Sequence, residues 1–313
     1  MIAYGPVPSR RLGRSLGINN IPPKSCTYAC VYCQVGHTTE MKLERRAFYS
    51  PDDLFNSVVA RVNSVTAAGD KIDFLSFVPD GEPTLDLNLG LEIDLLRKLN
   101  RPIAVITNSS LLSRPEVREE LAKADWVSLK VDAAEEDSWR RLNHPHGSLD
   151  LPAILEGIIK FAEGFTGTLV TETMLVAGVN DTAGNATATA NFLSGLNPST
   201  AYLAVPTRPP ALKWVKPPDT ETLLKCFQTY EKVIPEVEYL LGYEGNAFSW
   251  SGDPTENLLG ITAVHPMRED AVAALLKKAK APWLLVENLT SEGSLLQVEC
   301  AGHRYYLRRP RFN

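Results

Sequence analysis

The chain has 313 residues, of which 44% are hydrophobic and 22% are charged, and its formal net charge at pH 7 is −5. Such a composition is typical of a globular protein with one large core and room for a small second domain. It excludes a chain-wide basic field of the kind that binds nucleic acid, and no apolar run is long enough for a membrane span or a signal peptide. Three of the five cysteines are clustered, unlike those of a secreted disulfide framework, so we expect a cytoplasmic protein.

Strands and helices are predicted to alternate along the first 240 residues. The clearest helix start is Ser50-Pro51-Asp52-Asp53, which places a capping serine before a proline and two acids. The predicted strands are residues 15–18, 72–78, 103–107, 126–131, 168–176, 201–205 and 238–242. The helices predicted between them begin at residues 51, 89, 115, 151, 182 and 219.

This alternation indicates repeated βαβ units and therefore an α/β fold with a parallel sheet. About seven strands are too few for a closed eightfold barrel, whereas a partial TIM-like barrel of roughly six strands fits. From residue 251 the pattern changes to helices at 254–262, 267–280 and 283–290, followed by a hairpin at 295–308, although 283–287 could equally be a strand. Three helices and a two-stranded wing resemble a winged helix, so we predict a barrel core over 1–250 and a small winged-helix-like α+β domain over 251–313.

Three thiols fall within eight residues, at Cys26, Cys30 and Cys33. Thiolates are soft ligands that suit zinc, iron or an iron–sulfur cluster, and such sites usually take four protein ligands. Three cysteines therefore leave one coordination position open for chemistry. The alternatives are a zinc site completed by a distant residue such as His37, and three unrelated cysteines.

The C-x3-C-x2-C spacing, with Tyr32 before the last cysteine, resembles the signature of the radical SAM superfamily. In that family the three thiolates hold a [4Fe-4S] cluster, and S-adenosylmethionine (SAM) binds the fourth iron through its amino and carboxylate groups. The resemblance implies reductive cleavage of SAM to methionine and a 5′-deoxyadenosyl radical, which abstracts hydrogen from a substrate. It also implies a (β/α)6 partial barrel and a low-potential electron donor of the flavodoxin or ferredoxin type.

Polar groups follow the predicted strands, at the edge where ligands gather in such folds. Gly81-Glu82-Pro83 resembles the family motif that contacts the SAM amino group, with Asp80 where a glycine is common. Asn108 resembles the strand end near the SAM ribose, with Ser109 in place of a glycine. The local alternatives are a turn with a helix-capping acid at Glu82 and a helix cap at Asn108.

Ser128, Lys130 and Asp132 alternate along one strand and so point to one face. Ser128 and Asp132 resemble a family element that contacts the SAM ribose and carboxylate. Lys130 either forms a buried ion pair with Asp132 or faces the substrate as a catalytic group. We also predict catalytic roles for Glu172, an acid inside a strand that needs a cationic partner, and for Arg208, for which a plain surface arginine is the alternative.

Three arginines near the N-terminus also allow two interpretations. Arg10, Arg11 and Arg14 could reach anionic groups of SAM or substrate through their planar guanidinium forks. Solvated ion pairs are the commoner role for charges near a terminus, and we favour that interpretation here.

The resemblance covers most of residues 3–250 and is greatest to the subgroup of wyosine-base (tRNA) synthases. Those enzymes hold a second cluster on additional N-terminal cysteines, and none precedes Cys26 here. We therefore expect one cluster and leave the substrate unassigned. Lys130 is a candidate for the lysine that handles pyruvate in that subgroup.

The C-terminal region allows three interpretations. Basic and aromatic residues interleave over 303–311, which can pair with phosphates and stack on bases, so an RNA or tRNA base is one substrate class. A winged helix can also dock a peptide strand against its wing. The third interpretation is a packing domain that closes the barrel mouth. A rival for the whole chain is a non-catalytic, zinc-stabilised nucleic-acid-binding protein, in which the strand-end polar groups have no role.

Overall fold

An eight-stranded sheet forms the frame of the protein, and its strands follow one another in chain order. The computed structural model describes residues 1–36, 38, 41–241, 248 and 253–309. The first two strands pair antiparallel, and every later strand pairs in parallel with the one before it. The strands are β1 (Ala3–Ser9), β2 (Gly13–Ile18), β3 (Phe74–Phe77), β4 (Ile103–Thr107), β5 (Trp126–Lys130), β6 (Thr168–Met174), β7 (Thr200–Ala204) and β8 (Val237–Leu240).

Each strand from β2 to β7 is followed by at least one helix, which gives the six β/α units of the predicted partial barrel. The strand β8 and the antiparallel β1 extend the two edges of this sheet. The helices are α1 (Pro51–Ala67), α2 (Leu89–Leu96), α3 (Pro115–Leu121), α4 (Glu136–Asn143), α5 (Leu151–Gly164), α6 (Ala183–Ser194) and α7 (Thr220–Glu231). The α/β fold class is therefore confirmed.

Sequence reasoning missed two of these elements, β1 and α4. The strand β1 contains Gly5, Pro6 and Pro8, which normally argue against a strand. Its place at the edge of the sheet explains the exception, because an edge strand tolerates missing hydrogen-bond donors. The helix α4 is short and mostly polar, and only Trp139 and Leu142 give it an apolar face.

Capping side chains begin the helices where the sequence predicted. Ser50 accepts a hydrogen bond from the Asp53 backbone N–H at the start of α1, and Asp150 caps α5 in the same way. Thr182 and Asp219 do so for α6 and α7. Each such cap contributes on the order of 1 kcal/mol.

One apolar cluster lies between the sheet and its helices and fixes the strand ends in space. Leu16, Leu75 and Val105 on neighbouring strands are fully buried in it with Leu54 and Val58 of α1. Burying a side chain of this size contributes about 1.5–3 kcal/mol. The polar loops at the carboxyl ends of the strands are therefore carried on a rigid base.

The C-terminal segment contains three helices and a hairpin at the predicted positions: α8 (Pro254–Val264), α9 (Glu269–Ala279), α10 (Leu284–Ser291), β10 (Leu295–Cys300) and β11 (His303–Arg308). A short strand that was not predicted, β9 (Met267–Arg268), completes a sheet of order β10-β11-β9. Residues 283–287 enter a helix rather than a strand.

A second apolar cluster is formed mainly by this segment and includes Ile261, Leu275 and Tyr306, together with Phe248 from before it. The predicted boundary at 250/251 lies outside the described residues, and the division of the chain into two domains stays a prediction. In the part of the chain that the structure describes, no helix is both long enough and apolar enough to cross a membrane.

Candidate active site

The three clustered cysteines line one cavity of about 320 Å³ at the carboxyl ends of the strands. They lie in the long loop between β2 and α1, which we call the cysteine loop (residues 24–36). The cavity is also lined by the predicted site residues Tyr32, Gly81, Glu82, Asn108, Lys130, Glu172 and Arg208. Tertiary folding thus brings together groups from six strands or the loops that follow them, β2 to β7.

Backbone hydrogen bonds hold the cysteine loop against α4. The Ala29 N–H donates to the Asn143 carbonyl at 3.0 Å, and the Val31 N–H donates to the Leu142 carbonyl at 2.9 Å. On the other side, the Glu82 N–H donates to the Ser25 carbonyl at 2.9 Å. The missed helix α4 is therefore part of the support of the site.

Gly81 is required by the close approach of the cysteine loop. A Cβ atom at this position would lie 2.0 Å from the Ser25 carbonyl oxygen and 2.8 Å from Ile21. The sequence predicted a glycine that admits a ligand to the backbone. In the structure, the group that approaches Gly81 closely is the backbone of the cysteine loop.

Burial is the main influence on the pKa values of the three thiols. Burial, followed by Asp132, raises the pKa of Cys30 to about 12, and burial also raises the pKa values of Cys26 and Cys33. Buried thiols stay protonated until a metal centre displaces the protons. The donors around them suit sulfur ligands, because Asn108 Nδ2 lies 3.6 Å from Cys26 Sγ and Asn143 Nδ2 lies 3.4 Å from Cys30 Sγ.

The side chains that the structure describes bear on the zinc alternative, in which the thiols hold a single ion. Among the described residues, no group of three His, Cys, Asp or Glu side chains is arranged to hold one metal ion. His37, the fourth ligand of the zinc alternative, lies outside the described residues.

Glu82 fastens the loop after β3 to the end of β4. Its Oε1 accepts from the Thr84 N–H at 3.1 Å and from Thr107 Oγ1 at 2.6 Å, and its Oε2 accepts from the Asn108 N–H at 2.7 Å. Burial raises the pKa of Glu82, and these hydrogen bonds oppose the shift. Its bond to Thr84 is the capping role that the sequence left open, at the start of the turn Pro83–Leu85.

Asn108 connects this strand end to the cysteine loop. Its Nδ2 donates to Thr27 Oγ1 at 2.9 Å, and its Oδ1 accepts from the Ser110 N–H at 3.0 Å. Ser109, in the position where the family has glycine, adopts a left-handed φ of 67°. The strand end therefore keeps the backbone conformation that a glycine would favour.

Glu172 lies between two cations inside the barrel. Its Oε1 is 2.7 Å from Lys130 Nζ, and its Oε2 is 2.6 Å from Arg11 Nη1. Glu172 thus has two cationic partners, Lys130 and Arg11, where the sequence predicted one. Asp132 Oδ1, the partner first expected for Lys130, is 3.8 Å from its ammonium group.

Arg11 lines the cavity, although the sequence favoured a solvated ion pair for it over a role in the site, because a charge near a terminus is usually solvated. Its guanidinium also lies over the rings of Trp126 and Tyr202, at 5.9 and 5.8 Å from their centres. It donates to Ser128 Oγ at 3.3 Å as well. No local signal distinguishes it from Arg14, which pairs with Asp70 at 3.8 Å on the surface.

These charges determine each other's protonation. Burial would lower the pKa of Lys130, but Asp132 and Glu172 outweigh it and raise that pKa above its usual value. Burial would raise the pKa of Glu172, but Lys130 and Arg11 lower it to about 2. Both groups are therefore ionised at neutral pH.

Asp132 anchors the aromatic residue of the cysteine motif. It accepts hydrogen bonds from the Tyr32 hydroxyl, from Asn143 Nδ2 at 2.7 Å and from the Met174 N–H at 2.8 Å. Lys130 Nζ lies 4.9 Å from the centre of the Tyr32 ring. Asp132 thus joins the cysteine loop to β5 and β6 from behind the cavity wall.

Three predicted cofactor-binding residues, Ser128, Asp132 and Pro83, are not among the described residues that line the cavity. Ser128 is fully buried beside Arg11, and Pro83 accepts a hydrogen bond from Asn20 Nδ2 at 3.1 Å. Their contacts in the structure are with the scaffold of the site.

Arg208 connects the cavity mouth to the C-terminal segment. Its Nη1 donates to Gln34 Oε1 at 2.6 Å, and its Nη2 lies 3.1 Å from His265 Nε2. Burial, followed by Arg208, lowers the pKa of His265 well below 6.5, so its neutral ring accepts this bond. Arg208 is therefore not the plain surface arginine of the alternative interpretation.

A protein-family model described as the radical SAM superfamily matches residues 20–188, which is more than half of the chain. The chain belongs to the radical SAM superfamily. Members of this superfamily bind a [4Fe-4S] cluster and SAM, and the protein is accordingly a radical SAM enzyme.

The chain is also similar to several UPF0026 proteins. One from Methanocaldococcus jannaschii is 46% identical over 309 residues, which are 98% of this chain and 96% of that protein. One from Helicobacter pylori is 34% identical over 233 residues, 74% of each chain. One from Synechocystis sp. is 37% identical over 212 residues, 67% of this chain and 77% of that protein.

Three solved structures share the fold. A radical SAM methyltransferase from Sphaerobacter thermophilus has a TM-score of 0.56 at 19% identity, over 73% of this chain and 67% of its own. The wyosine synthase TYW1 with a lysine–pyruvate adduct has a TM-score of 0.54 at 18% identity, over 71% and 74%. SuiB from Streptococcus suis bound to SAM has a TM-score of 0.53 at 14% identity, over 72% and 51%.

Proposed function

We propose that Cys26, Cys30 and Cys33 hold one [4Fe-4S] cluster and that SAM binds beside it in the 320 Å³ cavity. The observation that carries the proposal is the convergence of all three thiols on the cavity that the strand-end polar groups also line. When bound, the cluster would pass an electron from an external donor to SAM, and the resulting reductive cleavage would provide the 5′-deoxyadenosyl radical for hydrogen abstraction from a substrate.

The chain's own residues fall into two groups under this proposal. Tyr32, Gly81 and Asn108 line the cavity on the cofactor side, and Glu82 holds the backbone of Asn108 in place. Ser128 and Asp132 support the same wall from behind. Lys130, Glu172 and Arg208 face the substrate side as charged groups of fixed geometry.

Lys130 acts in this proposal as a fixed cation rather than as a nucleophile. A lysine that forms a covalent adduct with a carbonyl compound must lose its proton, and neighbouring carboxylates oppose that loss. Glu172 and Asp132 both stabilise the charged form of Lys130. We therefore do not propose the lysine–pyruvate chemistry of the wyosine subgroup for this residue.

The test is anaerobic reconstitution of the full chain with iron and sulfide. About four irons per chain, release of 5′-deoxyadenosine from SAM with dithionite, and loss of both in Cys30→Ala support the proposal. Cys226→Ala is the matched control, since that thiol is buried in α7, lies 3.6 Å from the Asp181 carbonyl oxygen and does not line the cavity. If Cys30→Ala keeps both properties, the proposal is wrong.

As the substrate class, we propose a peptide or protein segment in preference to an RNA base. Stacking on bases needs exposed aromatic rings, but Tyr305 and Tyr306 are only 4% and 3% exposed. In contrast, β10 pairs with β11 alone among the described strands, which leaves one edge for an added strand. The burial of these two rings argues against base stacking on them, and the RNA interpretation then rests on the basic residues alone.

The same segment covers part of the cavity mouth. Tyr305 donates its hydroxyl proton to the Thr207 carbonyl at 3.0 Å, and Gln34 Nε2 donates to the Val264 carbonyl at 3.4 Å. These contacts support the packing interpretation, which is compatible with peptide docking at the far edge of β10.

Recovery of bound RNA or peptide from an anaerobic lysate distinguishes the substrate classes. Peptide recovery that is lost when Gln297 is replaced by proline on β10 supports docking at this edge, because proline cannot donate to an added strand. Recovery of RNA that is lost in Arg308→Glu/Arg309→Glu supports the RNA class instead. The zinc-stabilised alternative predicts zinc rather than iron in anaerobically purified protein.

A further inference from the structure

Lys24 and Asp80 form a charged pair on the wall of the cavity, next to the third cysteine. Lys24 Nζ is 3.9 Å from Asp80 Oδ1, and both side chains are only 9% exposed. Both residues line the same cavity as Cys33. Neither residue has a role in the function proposed above.

The ammonium group of Lys24 sits inside the turn that carries Cys33. It donates a hydrogen bond to the Val35 carbonyl, two residues after that cysteine. It also lies 3.5 Å from the position that a Cβ of Gly36 would take. The Gly36 N–H closes this turn by donating to the Cys33 carbonyl at 3.2 Å.

The backbone fixes the two members of the pair relative to each other. The Lys24 N–H donates to the Asp80 carbonyl at 2.7 Å. Lys24 adopts a left-handed φ of 64°, a conformation that glycine adopts at less cost. The backbone conformation at this position therefore favours glycine, yet the chain has a lysine there.

Asp80 stands where the family motif usually has a glycine, so its carboxylate is a feature of this chain. Its Oδ1 is buried and makes no hydrogen bond among the described residues. Burial raises the pKa of Asp80 to about 7, and the ion pair with Lys24 at 3.9 Å opposes that shift. Above that pH the two side chains bring opposite charges to the cavity wall that Cys33 also lines.

We propose that this pair sets the reduction potential of the cluster, with Lys24 raising it and Asp80 lowering it. The inference rests on the proposed function, because it requires a cluster on the three cysteines. Reduction transfers one electron from a flavodoxin- or ferredoxin-type donor, which adds one negative charge at the site and breaks no bond. A nearby cation favours that added charge and a nearby anion opposes it, and burial strengthens both effects. Lys24 and Asp80 therefore influence the reaction through the potential of the cluster and do not contact the substrate in this proposal.

The test is a redox titration of the reconstituted full chain, followed by electron paramagnetic resonance, at a pH well above the Asp80 pKa of about 7 so that this carboxyl is ionised. Lys24→Met should lower the midpoint potential, Asp80→Asn should raise it, and Lys24→Arg should shift it less than Lys24→Met. Lys123→Met and Asp94→Asn are matched controls, because that pair is exposed and remote from the cavity, and their potentials should equal that of the wild type.

Opposite shifts in Lys24→Met and Asp80→Asn support the inference. A purely structural pair would give shifts of one sign, or unchanged potentials at wild-type iron content, and either result overturns it. If Lys24→Met does not retain iron, the nearly isosteric Asp80→Asn decides, and the inference fails unless its potential rises. A wild-type chain that takes up no four-iron cluster would instead refute the proposed function itself.

Discussion

Arg11 and Glu172 are 161 positions apart in the chain, yet Arg11 Nη1 lies 2.6 Å from Glu172 Oε2 inside the barrel. The turn between β1 and β2 thereby closes an ion pair with the middle of β6. Since Lys130 holds the other oxygen of the same carboxylate, the three side chains form one buried network. The energetics of this network can be tested apart from any chemistry of the site.

Replacing Arg11 should destabilise the fold because it leaves Glu172 with one cation instead of two. We expect Arg11→Met to lower the free energy of unfolding by about 2–4 kcal/mol in urea denaturation. Arg14→Met, at the start of β2, is the matched control, and its surface pair at 3.8 Å should contribute less than about 1 kcal/mol. Equal losses in the two variants would contradict the assignment of Arg11 to the core.

Acid should remove the contribution of Glu172. Its pKa falls from 4.5 to about 2 in the folded protein, so its stabilisation is complete above pH 4.5 and is lost as the pH falls towards 2. The contribution at neutral pH is on the order of 3 kcal/mol. Glu172→Gln should therefore show a smaller loss of unfolding free energy than wild type between pH 4.5 and 2. Parallel pH profiles for the two proteins would refute the depressed pKa.

Raising the pH should lower the stability of the fold through a second acidic group, Glu92, which lies away from the cavity. Burial and the neighbouring Asp86 raise the pKa of Glu92 from 4.5 to about 9. A raised carboxyl pKa gives stability that is present below pH 4.5 and is lost as the pH rises through 9. Glu92→Gln keeps the shape without the charge, so its stability relative to wild type should increase from pH 6 to 9, by about 1–3 kcal/mol. Thermal unfolding across this range checks the sign.

Gly81→Ala should displace the cysteine loop because the added Cβ meets the Ser25 carbonyl oxygen at 2.0 Å. We expect the variant to retain less than about half of the wild-type iron after reconstitution and to lose about 1–3 kcal/mol of stability. Gly184→Ala, inside α6 with no atom within 4 Å of its Cβ, should keep all the iron and gain up to about 1 kcal/mol. Full iron retention in Gly81→Ala would show that the loop can move without cost.

The elements that sequence reasoning predicted are those with strong local signals. The strand β4 was predicted at its observed bounds, Ile103–Thr107, and the cap at Ser50 began α1 as expected. The element β1 was missed because its prolines are tolerated only at a sheet edge, and an edge is a property of the whole sheet. The helix α4 was missed because eight mostly polar residues carry little periodicity.

The sequence by itself determined the chemistry of this protein. The spacing of Cys26, Cys30 and Cys33 and the motif Gly81-Glu82-Pro83 are local patterns, and local patterns are sufficient to identify a superfamily. Only the tertiary structure decided which side chains meet the cavity and which support it. Glu82 and Asp132 became anchors, and Arg11 became a largely buried ion-pair partner. Burial and partner choice depend on contacts that are distant in the chain, 25 positions apart for Glu82 and Thr107, 100 for Tyr32 and Asp132, and 161 for Arg11 and Glu172. A charge that is solvated in one fold is buried and paired in another, and no local pattern records the difference.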